Sequence, residues 1–355
     1  MPNRQDFAKW AVILDYSQIS QRSMQPPSSE LDAQYAIGVG VTSDRLVGLL
    51  LNLDGVLVDL DPAGQPWEVG GRSSLRRGLS GADVPLVVGE IAALVGELAA
   101  ARPDLRDQIL GVGVSIGGHV DREAGLVRFS PGLGWTEDVR LADLLKQETG
   151  FDAIVENDVN VLVDAEQWSG AADRYGRFAI VKIGHGIGCG LSLHRGLERG
   201  ATGAAGELGH IPYERDGRHC VCGKRGCLQT VASSDAILRF ISEWGGQVPP
   251  TIDAAIQEAK SGNELAARSF ERAGEALGIG LATLLNIVNL EAVILCGDAS
   301  LLAYDSYVGA ARRSLAAHAF STTAEDCDLL IEVRTDELEA QGAASMALDT
   351  GGFRP

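Results

Sequence analysis

The residues best suited to chemistry lie in one stretch, Glu207 to Gln229, reading E-L-G-H-I-P-Y-E-R-D-G-R-H-C-V-C-G-K-R-G-C-L-Q. Cys220, Cys222 and Cys227 fall within eight positions, and His210 precedes the first by ten. Three thiolates and an imidazole form a complete tetrahedral set for zinc, and a closed set of this kind marks a structural rather than a catalytic ion. Gly223 and Gly226 allow the sharp turns that would bring Cys222 and Cys227 onto one ion. The plainer reading is three unconnected buried cysteines, but half of the chain's six cysteines crowd into this loop. A structural zinc bound by His210, Cys220, Cys222 and Cys227 is expected, fixing the backbone that carries Glu207 and His210 towards a ligand pocket.

A second candidate is E-N-D-V-N, Glu156 to Asn160, directly after the apolar strand 153–155. Open α/β sheets place ligand groups at the carboxyl ends of their strands. Asn157 and Asp158 supply an amide and a carboxylate, a pair suited to sugar hydroxyls, and Asp158 could serve as a general base. The competing reading is a helix cap ahead of 159–168. A third candidate is the run Gly184-x-Gly186-x-Gly188-x-Gly190, whose backbone could cradle a phosphate, although His185 in its middle is bulky for that role. The first hairpin, Gly38 to Arg45, has no carboxylate where strand meets turn; Asp44 already lies inside the turn, and phosphoryl transfer needs a carboxylate close to its magnesium.

These groups must be positioned by a chain of 355 residues with 45% hydrophobic and 22% charged residues, long enough for two domains. Residues 1–35 read as a tail or linker: a short amphipathic piece, 7–16, leads into Ser, Gln and Pro. From residue 36 the pattern is strands at 36–41, 46–53 and 56–60 with an Asp54-Gly55 hairpin turn, a helix at 84–101, a strand at 109–116, a helix at 141–148 and a strand at 153–155. The pattern then restarts: a strand at 178–183, the glycine-rich turn 184–190, strands to either side of Arg195-Gly196, and helices at 234–244, 252–260 and 264–288. It closes with a strand at 292–296, a helix at 304–318, a strand at 329–333 and a helix at 337–348. Two similar halves predict two lobes, 36–155 and 156–355, with a cleft between them and the final helix returning to the amino-terminal lobe.

No apolar run reads as membrane-spanning, since 277–296 is broken by Asn286, Asn289 and Glu291. Grouped cysteines and the lack of a signal pattern suit the cytoplasm. A net charge of −18 makes the body a poor match for nucleic acid, where Lys and Arg supply most of the non-specific affinity.

Together these motifs resemble the ROK family of repressors, open reading frames and sugar kinases. G-E-L-G-H followed by C-V-C-G-K-R-G-C-L is similar to that family's zinc signature, and A-T-G-A-A-G-E, E-N-D-V-N, G-H-G-I-G-C-G and G-V-G-V-S-I-G-G-H-V-D stand in family order over residues 36–350. The resemblance implies an α/β, actin-like fold of the sugar kinase–Hsp70 class, a homodimer, and a sugar site using Asn157, Asp158, Glu207 and His210, with Gln229 where the family has Glu. In kinases of the family, the residue at the Asp158 position is the base for the attacking hydroxyl. Against the kinase pattern, residues 40–44 (Gly-Val-Thr-Ser-Asp) lack the Asp and glycines of the first phosphate turn. Thr42 and Ser43 remain there as a degenerate turn. Gly184, His185 and Gly186 carry His where kinases have Thr, and Cys296-Gly297-Asp298 stands where kinases run Gly-Gly-Gly. ATP and magnesium are therefore not expected. The residues ahead of Tyr35 are too few for a winged helix-turn-helix and carry no basic footprint. The expectation is a sugar-sensing regulator's effector domain, reaching DNA only through a module or partner outside this sequence. The alternative is an ATP-dependent hexose kinase.

Overall fold

The computed structural model describes residues 13–15, 34–60, 73–169, 174–245, 247–333 and 336–349. Its strands are β1 (Ile13–Asp15), β2 (Tyr35–Val41), β3 (Arg45–Asn52), β4 (Ser74–Gly78), β5 (Ile109–Ile116), β6 (His119–Asp121), β7 (Leu126–Phe129), β8 (Ala153–Asn157), β9 (Phe178–Ile183), β10 (Ile187–Leu193), β11 (Gly196–Glu198), β12 (Ala292–Gly297) and β13 (Asp328–Val333). Its helices are α1 (Val84–Ala101), α2 (Leu141–Thr149), α3 (Asp158–Ser169), α4 (Gln229–Ala232), α5 (Ser234–Glu243), α6 (Ile252–Lys260), α7 (Glu264–Val288), α8 (Ala299–Leu302), α9 (Asp305–His318) and α10 (Asp336–Asp349).

These elements form two compact units. One is built on the five-stranded sheet β4-β3-β2-β5-β8, in which β2, β5 and β8 run parallel and β2-β3-β4 form an antiparallel meander. Its core is Val, Ile and Leu from the sheet packed against α1 and α2. On the other face α10 lies across β2 and β5. Gly38 and Gly113 make that close approach possible: a Cβ on either would stand within 2 Å of an α10 carbonyl oxygen. The second unit is built on the six-stranded sheet β1-β13-β12-β9-β10-β11, in which β12 pairs parallel with both β9 and β13. Its large core includes Phe270, Leu277 and Leu281 of α7 and Tyr307 of α9.

The helices end where their side chains can satisfy free backbone groups. Ser233, Thr251 and Asn263 cap α5, α6 and α7, each accepting a backbone N–H through its side-chain oxygen. At the other end of α7, Asn289 adopts a left-handed φ of 54° and stops the helix.

The structure revises four details of the sequence reading. Residues 56–60 do not form a third strand. They fold back only far enough for a bridge between Leu51 and Leu57, and β4 takes the place beside β3. The glycine run 184–190 is a turn only over Gly184–Gly186, closed by Gly184 N–H to Gly186 O, because Ile187 already opens β10. The 7–16 piece contributes strand β1, which pairs parallel with β13, while residues 7–12 and 16 lie outside the described residues. Finally, α1 is long and apolar enough to cross a membrane by length and composition. Glu90 and Glu97 interrupt its apolar sequence. Its buried residues, from Val87 to Ala99, sit in the core of the five-stranded unit.

The 155/156 boundary drawn from the sequence falls inside the five-stranded unit, because α3 and α10 pack together on that sheet. Residues 199–205 also belong there, whereas 174–198 and 206–333 form the six-stranded unit.

Candidate functional site

In the six-stranded unit, the loop after β11 folds into a compact knot. Backbone bonds from Cys220 N–H to Lys224 O (2.8 Å), Gly223 N–H to Cys220 O (3.0 Å) and Gly226 N–H to Arg218 O (2.8 Å) close successive turns. Gly223 and Gly226 take φ values of 83° and 71°, left-handed conformations that cost a glycine little. The result is that one ligand atom each from His210, Cys220, Cys222 and Cys227 comes within 4.8 Å of the other three. Cys220 Sγ is 3.4 Å from His210 Nδ1, and Cys222 Sγ is 3.7 Å from Cys227 Sγ. Burial, with Cys222 hydrogen-bonded beside it, pushes the Cys227 thiol up to about 12; a bound cation would reverse that by displacing the thiol proton. This cluster is able to hold a metal ion, and its sulfur-and-nitrogen donor set fits zinc in number and type.

His210 faces two ways. Its Nδ1 turns to the cluster while Nε2 lies 3.7 Å from the Glu207 carboxylate. A carboxylate behind a ligating imidazole orients the ring and raises its basicity. Gln229 bridges the loop and β10: its Nε2 donates to Cys220 Sγ (3.3 Å), and its Oε1 accepts from Ile187 N–H (3.3 Å).

In the five-stranded unit, Asn157 caps α3. Its Oδ1 accepts from the backbone N–H of Val159 (2.9 Å) and Asn160 (3.2 Å), while Nδ2 donates to Gly118 O (2.9 Å) and to Asp158 Oδ1 (3.1 Å). Both ends of the amide are occupied, so Asn157 is the helix cap weighed from the sequence, and it orients the Asp158 carboxylate. Gly117, whose Cβ position would stand 3.8 Å from that carboxylate, leaves space beside it.

Sequence reasoning missed the support behind this pair. Glu156 is 2% exposed; it accepts from Asn157 N–H (2.8 Å), Asn160 Nδ2 (3.0 Å) and Arg199 Nε (2.7 Å). Arg122 stands 4.0 Å away, its guanidinium held below its ordinary value by burial and by Arg199. The available signal was a carboxylate ending an apolar strand, which is rarely buried unpaired. Its partner Arg199 is more than forty residues away in sequence, so spacing could not reveal it.

The phosphate-turn candidates are closed on themselves. Thr42 Oγ1 donates to Asp44 Oδ1 (2.9 Å) and accepts from Arg45 N–H (3.2 Å), while Ser43 is exposed. At the β9–β10 turn, His185 Nδ1 lies 2.8 Å from Asp235 Oδ1 in the first turn of α5. Ser234 binds the same turn through its backbone N–H to Gly184 O (2.9 Å). Its hydroxyl donates to Asp298 Oδ2 (3.0 Å), and Asp298 caps α8. Thus Gly184, His185, Gly186, Ser234, Asp235 and Asp298 share one corner of the six-stranded unit. The sugar-side candidates are shared out: Asn157 and Asp158 lie in the five-stranded unit, and Glu207, His210 and Gln229 in the six-stranded unit.

The ROK family profile matches residues 87–350. The chain belongs to the ROK family. It is 37% identical over 202 residues to the glucokinase of Thermotoga maritima, a match covering 53% of this chain and 64% of that protein. It is 31% identical over 220 residues to the xylose repressor of Caldicellulosiruptor bescii, covering 58% of this chain and 55% of the repressor. The chain thus spans less than two thirds of both relatives. Among solved structures, the ROK glucokinase of Streptomyces griseus in complex with glucose and AMPPNP superposes with a TM-score of 0.72 at 22% identity, over 89% of this chain and 99% of that one. At that identity the likeness establishes the fold, an α/β sugar-kinase architecture. ROK membership is common to repressors and kinases, and the branch turns on the site itself.

Proposed function

We propose that this chain is the sugar-responsive effector domain of a ROK-type regulator, binding a sugar or sugar derivative and holding a structural zinc through His210, Cys220, Cys222 and Cys227. The observation that carries this reading is the corner at the β9–β10 turn. The groups that would receive a nucleotide's phosphates are bonded to the chain's own carboxylates, Asp235 and Asp298. The His185–Asp235 pair is exposed and worth little as a contact. Its weight is in charge placement, since a phosphate oxygen at about 4 Å from a carboxylate is repelled by about 4 kcal/mol at an effective dielectric of about 20. Thr42, tied to Asp44, offers no free hydroxyl to a magnesium-bound phosphate from the other turn.

On the sugar side, Asp158 is half-buried and oriented, and Glu207 stands behind His210. A zinc that fixes His210 would also fix the backbone that carries Glu207. A net charge of −18 supports an effector role over direct contact with DNA, which a reader module would supply. The grouping of three cysteines with His210 suits a reducing cytoplasm, and the family resemblance supports a homodimer.

The second reading is an ATP-dependent hexose kinase, favoured by the retained Asp158 carboxylate, the group able to take a proton from an attacking hydroxyl. A coupled ATP-consumption assay with glucose, xylose and N-acetylglucosamine separates the two. The regulator reading expects no turnover, together with thermal stabilisation by sugar alone. Turnover that disappears in Asp158→Asn overturns it.

A further inference from the structure

Gln229 stands where the family resemblance places a sugar-binding carboxylate, yet its side chain is committed elsewhere. Ile187 N–H can bond only to the amide oxygen, so Oε1 must face Ile187, and Nε2 is thereby turned onto Cys220 Sγ, 3.3 Å away. The seat for the oxygen is built from backbone. A Cβ at Gly186 would stand 3.0 Å from Oε1, and one at Gly209 would stand 3.1 Å from Oε1 and 2.2 Å from Ile187 O. Any side chain at Gly209 would collide with the β10 backbone, and one at Gly186 would crowd the amide. The amide is therefore fixed at its oxygen end by β10 and aims its N–H at a metal-ligand sulfur. A metal-bound cysteine is a thiolate, and an N–H donated to it stabilises the anion. A carboxylate in the same seat could still accept from Ile187, but its second oxygen would confront the sulfur as like charge.

We infer that Gln229 is a positioning residue of the metal centre, donating to the Cys220 thiolate while anchored on Ile187, rather than a contact to the sugar. This rests on the zinc reading given above. It also explains why an amide, and not a carboxylate, suits this chain at that position: Gln supplies both the acceptor and the donor the seat requires, and Glu supplies only acceptors.

The test uses the full chain and three proteins: wild type, Gln229→Met, which keeps the length but loses both bonds, and Gln229→Glu, which keeps the acceptor and places a charge against the sulfur. Zinc affinity is measured by competition with a chromophoric chelator, and each protein is also loaded with cobalt(II) to record its thiolate-to-metal charge-transfer band. The expected order is wild type, then Met, then Glu, with losses of about 10-fold and about 100-fold, the range for removing a partner of a metal ligand. The band is expected to move to longer wavelength in both variants, as an unbonded thiolate donates its electrons more readily. With zinc in excess, wild type and Gln229→Met should show the same sugar-induced thermal shift. If Gln229→Glu does not fold, Gln229→Met decides alone. Zinc affinity within twofold of wild type and an unmoved band overturn the inference and leave the zinc reading standing. A sugar shift lost in zinc-saturated Gln229→Met overturns it in favour of a ligand contact. A wild-type chain that takes up neither metal removes both readings together.

Discussion

The metal loop and the β9–β10 corner belong to the same unit and are both organised by glycine turns, yet their polar groups are arranged in opposite senses. In the loop, four ligand atoms converge within 4.8 Å of one another. Three of them are sulfurs, poor hydrogen-bonding groups: Cys222 and Cys227 meet at 3.7 Å and Cys220 lies 3.4 Å from His210 Nδ1, contacts that satisfy little. In the corner, the polar groups have found partners within the chain: His185 pairs with Asp235, the Ser234 hydroxyl donates to Asp298, and Asp298 in turn accepts from the Leu301 N–H of α8. A cluster whose groups converge without satisfying one another is built for a ligand, whereas one that has closed its own bonds must break them to admit one. The Glu156–Arg199 pair of the five-stranded unit belongs to the second kind: a buried carboxylate fully engaged by the chain, serving Asn157 and Asp158 from behind.

The contrast can be tested from its largest consequence downwards. Cys222→Ser should cut metal content from one ion per chain to almost none and cost several kcal/mol of stability, since structural zinc contributes of the order of 10 kcal/mol to small zinc domains; elemental analysis and thermal melting read both. A stable mutant holding a full ion would end the idea that the loop is built around a metal. Arg199→Met should cost about 3–5 kcal/mol by leaving Glu156 buried without its closest cation, read as a drop in urea midpoint, and adding Glu156→Gln should recover much of the loss. Additive losses in the double variant would show that the two side chains do not act as a pair.

Asp158→Asn should leave folding stability unchanged while weakening sugar binding by about 1.5–3 kcal/mol, the worth of a hydrogen bond to a charged group. Thermal shift with glucose, xylose and N-acetylglucosamine measures this, and an unaltered sugar response would remove Asp158 from the pocket. The smallest effect is expected from opening the corner. Asp235→Asn with Asp298→Asn should raise the protein's response to Mg-ATP from none to a small upward thermal shift. A wild-type protein already stabilised by Mg-ATP would erase the distinction between corner and loop.

Much of the fold could be read along the chain. The helical spacing of α7 and α9 and the apolar run of β5 carried their own boundaries, because periodicity and caps are local properties. The strand expected at 56–60 shows the limit. Those residues have strand character, but the place beside β3 went to Ser74–Gly78, and competition for an edge is decided by which segment can reach and pair with it. Within the site, the four candidate metal ligands stood out because they share one loop. Glu156 did not, because its cation comes from a segment far along the chain, and the bonds of the Gln229 amide to Cys220 and Ile187 likewise could not be read from the sequence.

The sequence by itself determined the kinds of chemistry present: a zinc-type donor set, a carboxylate at a strand end, and glycine-bearing turns that hold His185 and Asp44. The tertiary structure decided what each group does. A side chain's bonds are fixed by neighbours that arrive through folding, as Ile187 N–H orients Gln229, Arg199 holds Glu156, and Asp235 and Asp298 close the corner around His185 and Ser234. Residue type sets which bonds a group can make, and only the packed chain sets which of them are left for a ligand.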